Sequence, residues 1–389
     1  MMTANYFTLE ALNAKHGDAL LLHFGTSARP QHILIDGGPS GIYRDYLAPR
    51  LKMLGQNTGR DSDQLQLLQV YLSHIDDDHI AGLLDLLDKL RSREAPCKAP
   101  WFLFNAFEDA KAEIPPELAQ LSVLNSISQS DEHDGEFMSA AVLASVGQGR
   151  SMRDMVRALG ARTNLGDGKL LLADDKPVDL LNRDGLRITL VAPSKQRMQQ
   201  LFADWKRKSA KATGNKAEIA ALLAAYTDAS VYNLSSLVFV VEYLHPVVGT
   251  MRMLLTGDAR GDDIVAGLNM AGLLNNGKAH FNILKMPHHG SARNMTERFL
   301  NDITADHYLI SADGRHDNPD AETLEWIGRM QNPNPSFEVV LTNDGLTPSS
   351  PALKDKIAKL EQRLGRERVR TRMQGDLSIS VELSDPINF

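Results

Sequence analysis

The sequence predicts an α/β fold in which two β-sheets pack face to face with helices outside them. Strand-length apolar runs recur in the first and the second half of the chain, and each half also carries segments with helical spacing. A further observation shows where the chemistry lies. Histidines and aspartates crowd the end of one apolar run, in Ser73-His74-Ile75-Asp76-Asp77-Asp78-His79.

Tyr6 to Leu12 and Ala19 to Phe24 are the first strands, separated by the turn Lys15-His16-Gly17-Asp18. His32 to Ile35 is a third, stopping at Asp36-Gly37-Gly38-Pro39, and Leu67 to Leu72 a fourth, ending on the histidine-aspartate run. Apolar residues at helical spacing (Leu83, Leu84, Leu86, Leu87, Leu90) predict a helix over 80–90, which places the run on a strand-to-helix loop. Residues 105–165 read as an inserted helical segment, interrupted by Pro115-Pro116 and by Gly147 to Gly149. Strands resume at Arg187 to Val191, and a second helical insert, 195–225, follows. Leu237 to Tyr243, Met251 to Leu255, Phe281 to Leu284, Tyr308 to Ile310, Val339 to Leu341 and Leu377 to Leu383 are further strands. Helices are expected over 320–330 and 352–365. No repeat or linker divides the chain, so residues 1–389 are expected to form one domain.

Of the 389 residues 43% are hydrophobic and 23% charged, a globular composition. The single cysteine, Cys97, cannot form an internal disulfide and implies no oxidising compartment. The first residues show no signal-peptide pattern. Apolar runs such as Leu237 to Val241 are too short to span a bilayer. The expectation is a cytoplasmic protein with no membrane partner. A net charge of −7 gives no global attraction to nucleic acid. Two basic runs are local exceptions: Lys206-Arg207-Lys208 with Lys211 and Lys216, and Lys354 to Arg372. The plain reading of either is a solvated helix face.

His74-x-Asp76-x-Asp78-His79 offers four ligands within six residues, and on a loop they converge as no regular helix or strand would allow. Carboxylates mixed with imidazoles suit zinc, manganese or iron. Asp77 or Asp78 can serve as an N-cap, but the bracketing histidines add nothing to capping. Two later segments join this one. Thr256-Gly257-Asp258 ends a strand and sets a carboxylate at its edge, and Pro287-His288-His289-Gly290-Ser291 sets paired histidines after another. His16, His23, His32, His133, His245, His280 and His307 have no ligand motif around them and are expected to be structural or surface groups.

In order and kind these residues resemble the metallo-β-lactamase superfamily, whose His-x-His-x-Asp-His motif is followed by a bridging Asp and a final His. They look most like the branch typified by the hydrolase domain of the DNA-uptake protein ComEC. The segments that carry this are Gly17-Asp18-Ala19, Ile35-Asp36-Gly37-Gly38, Ser73 to His79, Asn233 to Val238, Thr256-Gly257-Asp258 and Pro287 to Ser291. The resemblance implies an αββα sandwich with helical inserts and with one or two divalent metal ions, zinc or manganese, at one edge. It implies His74 and Asp76 as ligands of a first metal, Asp78 and His79 as ligands of a second, Asp258 as the bridge, and His288 or His289 as the final ligand. Asp18, Asp36 and Asn233 are implied as supports behind the ligands.

Three departures stand out. Asp76 replaces the superfamily's usual second histidine, and Asn233 and Ser235 occupy the region that usually supplies a third ligand to the first metal. The second metal position is therefore expected to be the stronger. Asn318 stands where the branch has a histidine, leaving His316 or Asn318 as substrate contacts. The function implied is metal-assisted hydrolysis, with hydroxide generated from metal-activated water. Asp78 would orient that hydroxide, and His288 or His289 with Ser291 would donate to the scissile group. A phosphodiester is the preferred substrate, DNA or RNA being held through the basic inserts. The alternatives are a small ester, lactone or cyclic nucleotide hydrolase, and an effector regulated by a protein partner in a bacterial defence system.

Overall fold

The computed structural model describes residues 5–57, 64–105, 140–166, 169–197, 236–346 and 351–386, without the side chains of 140–147 and 351. The second insert from residue 198, most of the first (106–139), Asn233, Ser235 and the Lys206–Lys216 run lie outside the described residues.

The strands of the first sheet are β1 (Asn5–Leu12), β2 (Leu20–Thr26), β3 (Arg29–Ile35), β4 (Leu65–Tyr71), β5 (Cys97–Lys98), β6 (Trp101–Leu103), β7 (Arg162–Thr163) and, from far along the chain, β16 (Ser378–Glu382). They run in the order β16-β1-β2-β3-β4-β6-β7, with β5 beside β4. Pairing is antiparallel from β16 to β3 and parallel from β3 to β7. The second sheet comprises β8 (Val178–Arg183), β9 (Leu186–Ala192), β10 (Val238–His245), β11 (Gly249–Leu255), β12 (Ala279–Lys285), β13 (Ile303–Ile310), β14 (Glu338–Leu341) and β15 (Val369–Thr371). Its order is β15-β14-β13-β12-β11-β10-β9-β8, antiparallel from β8 to β11 and parallel from β11 to β15.

Side-chain alternation turns these sheets into layers. Phe7, Leu9, Leu22 and Ile33 of the first sheet meet Phe239, Val241, Met253 and Ile283 of the second in one buried cluster. Phe7 stacks on Tyr243 and Tyr71 meets Phe239 edge-on, each with ring centroids 5.0 Å apart. The opposite faces are covered by helices. Leu21, Leu34 and Val70 pack under α1 (Ala48–Asn57) and α2 (Asp77–Ser92), which α3 (Ala140–Ala158) joins. Val240, Leu254, Leu284 and Tyr308 pack under α4 (Gly261–Met270), α5 (Glu297–Asp302), α6 (Ala321–Arg329) and α7 (Pro351–Leu364). The result is a four-layered αββα sandwich. Strands buried on both faces read as continuous apolar runs, which is why the sequence shows them. No helix among the described residues is long and apolar enough to cross a membrane.

Four expectations need correction. The histidine-aspartate run is not all loop: Asp76 is the N-cap of α2, and Asp77, Asp78 and His79 form its first turn. Nor does either Asp77 or Asp78 serve as the cap. Gly147 to Gly149 does not interrupt a helix, because α3 runs through it. A Cβ on Gly149 would lie 3.2 Å from Ile75 Cγ2, and Gln148 Nε2 donates to Asp77 Oδ1 at 2.7 Å, so this stretch is where α3 seats on the ligand run. The end of the 105–165 segment also belongs to the sandwich itself, since β7 pairs with β6.

One close approach fixes where α2 starts. Gly37 N donates to His79 O at 2.8 Å and Gly82 N to Gly38 O at 2.9 Å, so the loop after β3 lies directly on the helix. A Cβ on Gly82 would sit 2.0 Å from Gly37 O. Alanine is the better helix former by about 1 kcal/mol, yet Gly82→Ala is expected to destabilise the protein by about 2 kcal/mol, because overpacking outweighs propensity. A urea midpoint equal to or above the wild-type value would refute this.

Candidate metal centre

The loops leaving the carboxyl ends of the parallel strands of both sheets meet at one edge. The end of β4 delivers Ser73 to His79, β3 delivers Asp36, β11 delivers Asp258, and β12 delivers His288 and His289. Asp18 comes from the turn between β1 and β2. A backbone bond ties the two sides together, Leu237 N donating to Ser73 O at 2.9 Å, and within the second side His288 N donates to Gly257 O at 3.1 Å.

The histidines share one arrangement. Each has Nδ1 engaged behind it and Nε2 facing inward. His74 Nδ1 lies 3.0 Å from Ser73 Oγ, whose hydroxyl is 2.7 Å from Asp36 Oδ2. His79 Nδ1 lies 2.9 Å from Asp36 Oδ2, His288 Nδ1 2.8 Å from Asn294 Oδ1, and His289 Nδ1 2.9 Å from the carbonyl of Ser311. Carboxylate and carbonyl partners accept only from a protonated Nδ1, so we assign the neutral rings of His79, His288 and His289 as Nδ1–H tautomers, which puts the lone pair on Nε2. Asp258 is the hub that these atoms face. Its Oδ1 is 3.4 Å from His79 Nε2, and its Oδ2 is 3.7 Å from His74 Nε2 and 3.6 Å from Nε2 of both His288 and His289. Asp76 Oδ2 stands 3.6 Å from His74 Nε2, and Asp78 Oδ2 3.3 Å from His289 Nε2.

Nε2 of His74, His79 and His289 and Oδ1 of Asp258 are buried, yet none makes a well-aligned hydrogen bond. Buried polar atoms rarely go unpaired, and four converging on one small volume fit a cation between them. Among the described residues, two sets have all ligand atoms within 4.8 Å of one another: Asp18, His79, Asp258 and His289, and His74, Asp78 and His79.

The electrostatics agree. Burial pushes the Asp258 carboxyl up, but His288, His289, His79 and His74 hold it well below the usual range. Asp78 is likewise held low, mainly by His79 and His289, against its burial. Burial alone would lower His79, but Asp258, Asp78 and Asp36 raise it well above an ordinary histidine, and Asp258 and Asp18 raise His289. Acids held low beside imidazoles held high are groups for which a metal ion would compete with protons.

Asp18 belongs to one ligand set, but its Oδ2 is in contact with the ammonium of Lys285, each side chain 1% exposed. Its backbone N–H also donates to Asp78 O at 3.2 Å. That counter-ion places it as a support that carries the Asp78 turn. Ser291 departs from expectation. Its hydroxyl is directed at Asp320 Oδ2, 3.4 Å away, and only 5% of the residue is exposed. It braces the loop and is not presented as a donor to substrate. His316 and Asn318 lie beyond β13 on the same rim, His316 exposed and Asn318 half-buried.

Several contributors escaped the sequence reading. Lys285 left a signal, a charge at the end of an apolar strand. Asn294, which also donates to Asp258 O at 2.9 Å, left none. His16, expected to be a bystander, stands within electrostatic reach of Asp78 and His289.

No protein-family model and no curated protein matches the sequence. Among solved structures, the metallo-β-lactamase MIM-1 from Novosphingobium pentaromativorans is similar over 91% of this chain and 87% of that one, with 10% identity and a TM-score of 0.28. So distant a likeness decides nothing about chemistry, which rests on the side chains described above.

Proposed function

We propose that this chain is a metal-dependent hydrolase of phosphodiesters, related in its site to the ComEC-like branch. The observation that carries the reading is the convergence of unpaired histidine Nε2 atoms on Asp258. His74 and Asp76 would hold one divalent ion, Asp78, His79 and His289 a second, and Asp258 would lie between them. Zinc or manganese suits this mixture of imidazole and carboxylate. When bound, such an ion lowers the pKa of water and polarises the scissile group.

The chain's own residues supply the remainder. Asp36 and the Ser311 carbonyl hold His79 and His289 in the ligating tautomer, and the buried Asp18–Lys285 pair fixes the turn behind Asp78. Asp78, with 26% of its side chain exposed, is ionised and orients the attacking water. His288, 29% exposed, faces both the hub and solvent, where it meets an arriving oxygen.

Part of the basic run Lys354 to Arg372 is engaged within the chain. Lys356 Nζ is bonded to Asp317, Arg368 to Phe337 O, and Arg372 to Thr342 O, all within the chain. The test is to incubate protein loaded with Mn²⁺ or Zn²⁺ with single-stranded DNA, RNA and bis(p-nitrophenyl) phosphate, beside Asp78→Ala. Wild type is expected to cleave at least one of them, and Asp78→Ala to be slower by ~10²-fold or more. Equal inactivity of the two proteins on all three substrates would end the phosphodiester reading.

A further inference from the structure

The mouth of the centre is acidic. Asp76 and Asp78 are partly exposed, with 32% and 26% of their side chains accessible. Lys285, the ammonium beside the site, is buried and already paired with Asp18. Bound divalent ions would offset these acids, and a cation on the rim adds to the attraction that draws a phosphodiester in.

One stands on the Asp78 side. Arg315 is exposed and has no carboxylate within salt-bridge distance among the described residues. Its Nη1 lies 3.4 Å from His16 Nδ1, and the His16 ring meets His316 edge-on, with centroids 5.9 Å apart. The group is held to the centre through backbone. Gly17, next to His16, packs so tightly on Asp78 that a Cβ there would lie 1.9 Å from Asp78 O. Ser311 Oγ donates to Gly17 O at 2.6 Å, which joins the Arg315 loop to the His16 turn. His316 and Asp317 adopt left-handed backbone, with φ of 56° and 65°, a costly conformation for side chains of this kind. Lys356 Nζ stabilises that loop by bonding Asp317 O and Oδ1, both at 2.6 Å, and Pro319 O at 3.1 Å. A guanidinium with no carboxylate in salt-bridge distance among the described residues, on a loop where Asp313 Oδ1 accepts from Arg315 N at 2.9 Å and with two imidazoles beside it, matches the oxygens of a phosphate.

We infer that Arg315, His16 and His316 form an oxyanion-binding rim that takes the non-bridging oxygens of the substrate phosphate. The inference rests on the phosphodiester reading for its substrate, and its test is separable from that reading. Inorganic phosphate is titrated calorimetrically into metal-free wild type, Arg315→Met and His16→Gln. Both variants are expected to bind about tenfold more weakly, the loss of one hydrogen bond to a charged group. Metal content of the loaded proteins and their thermal midpoints should be unchanged. With bis(p-nitrophenyl) phosphate, Arg315→Met should raise KM about tenfold and leave kcat within about twofold. KM for the neutral ester p-nitrophenyl acetate should not move. If wild type binds no phosphate, or Arg315→Met binds it as well as wild type does, the rim is overturned. If wild type binds phosphate through Arg315 yet cleaves no phosphodiester, the proposed function falls and the rim stands.

Discussion

Asp258→Asn is expected to lose both metal positions together and to lower turnover by ~10³-fold or more, the upper end of what removing one preorganised electrostatic partner costs. The geometry gives the reason. Asp258 is 2% exposed, and Nε2 of His74, His79, His288 and His289 all stand within 3.4 to 3.7 Å of its two oxygens. An amide removes the charge, replaces one acceptor with a donor, and points that donor at rings that need an anion or a cation between them. Elemental analysis of the purified variant should therefore show near-complete loss of metal, where His74→Ala should still retain ions on the Asp78, His79 and His289 side. Metal retained at the wild-type level in Asp258→Asn would remove this carboxylate from the centre.

Glu10→Gln should cost about 3 kcal/mol of stability at neutral pH. Glu10 is fully buried on β1. Its Oε2 lies 2.9 Å from His23 Nε2, Arg50 reaches it through Nε and Nη2 at 2.7 and 3.1 Å, and Ser378 Oγ donates to Oε1. His23 Nδ1 in turn lies 2.7 Å from His32 Nδ1. Burial pushes the carboxyl up, but His23 and Arg50 outweigh it and bring it from an ordinary 4.5 to about 2. Because the folded value is the lower one, this stabilisation is fully present above about 4.5 and disappears as pH falls toward about 2. Urea unfolding of wild type and Glu10→Gln should therefore differ most at neutral pH, with more than half of the difference gone by about pH 3. A difference that does not change with pH would show that packing, and not the charge, makes Glu10 matter.

What was legible in the sequence followed from how the chain meets its neighbours. Strands such as Phe281 to Leu284 are buried on both faces and declare themselves as apolar runs. Strand β15 (Val369–Thr371) is three residues long inside a basic stretch, and β7 is two, too short for any period to register. Helix α4 packs through glycine: a Cβ on Gly267 would lie 2.2 Å from Val191 O, so part of its contact face carries no apolar side chain to read. In the centre, His74, Asp78, His79, Asp258 and the His288–His289 pair stood out because ligands cluster in short runs beside glycine. Their supports did not. Ser311 acts through a carbonyl, and Asn294 through an amide three residues past the paired-histidine segment, where no ligand type marks it. His16 looked like a turn residue until the fold set it beside Arg315.

The return of β16 to pair with β1 has a consequence for how the molecule is made. Thr8 faces Glu382 and Leu12 faces Ser378 across that ladder, so the edge of the first sheet stays open until nearly all of the described chain has emerged from the ribosome. The Glu10 cluster, which takes Ser378 as a partner, is unfinished for just as long. The metal centre matures somewhat earlier, since it waits only for the His288–His289 turn of the second sheet. A nascent chain carrying Ser73 to His79 alone has an incomplete set of ligands. The ligands that the second sheet brings, Asp258, His288 and His289, can join the Ser73 to His79 run only once the two sheets dock, so the completed centre is a clasp across an assembled sandwich.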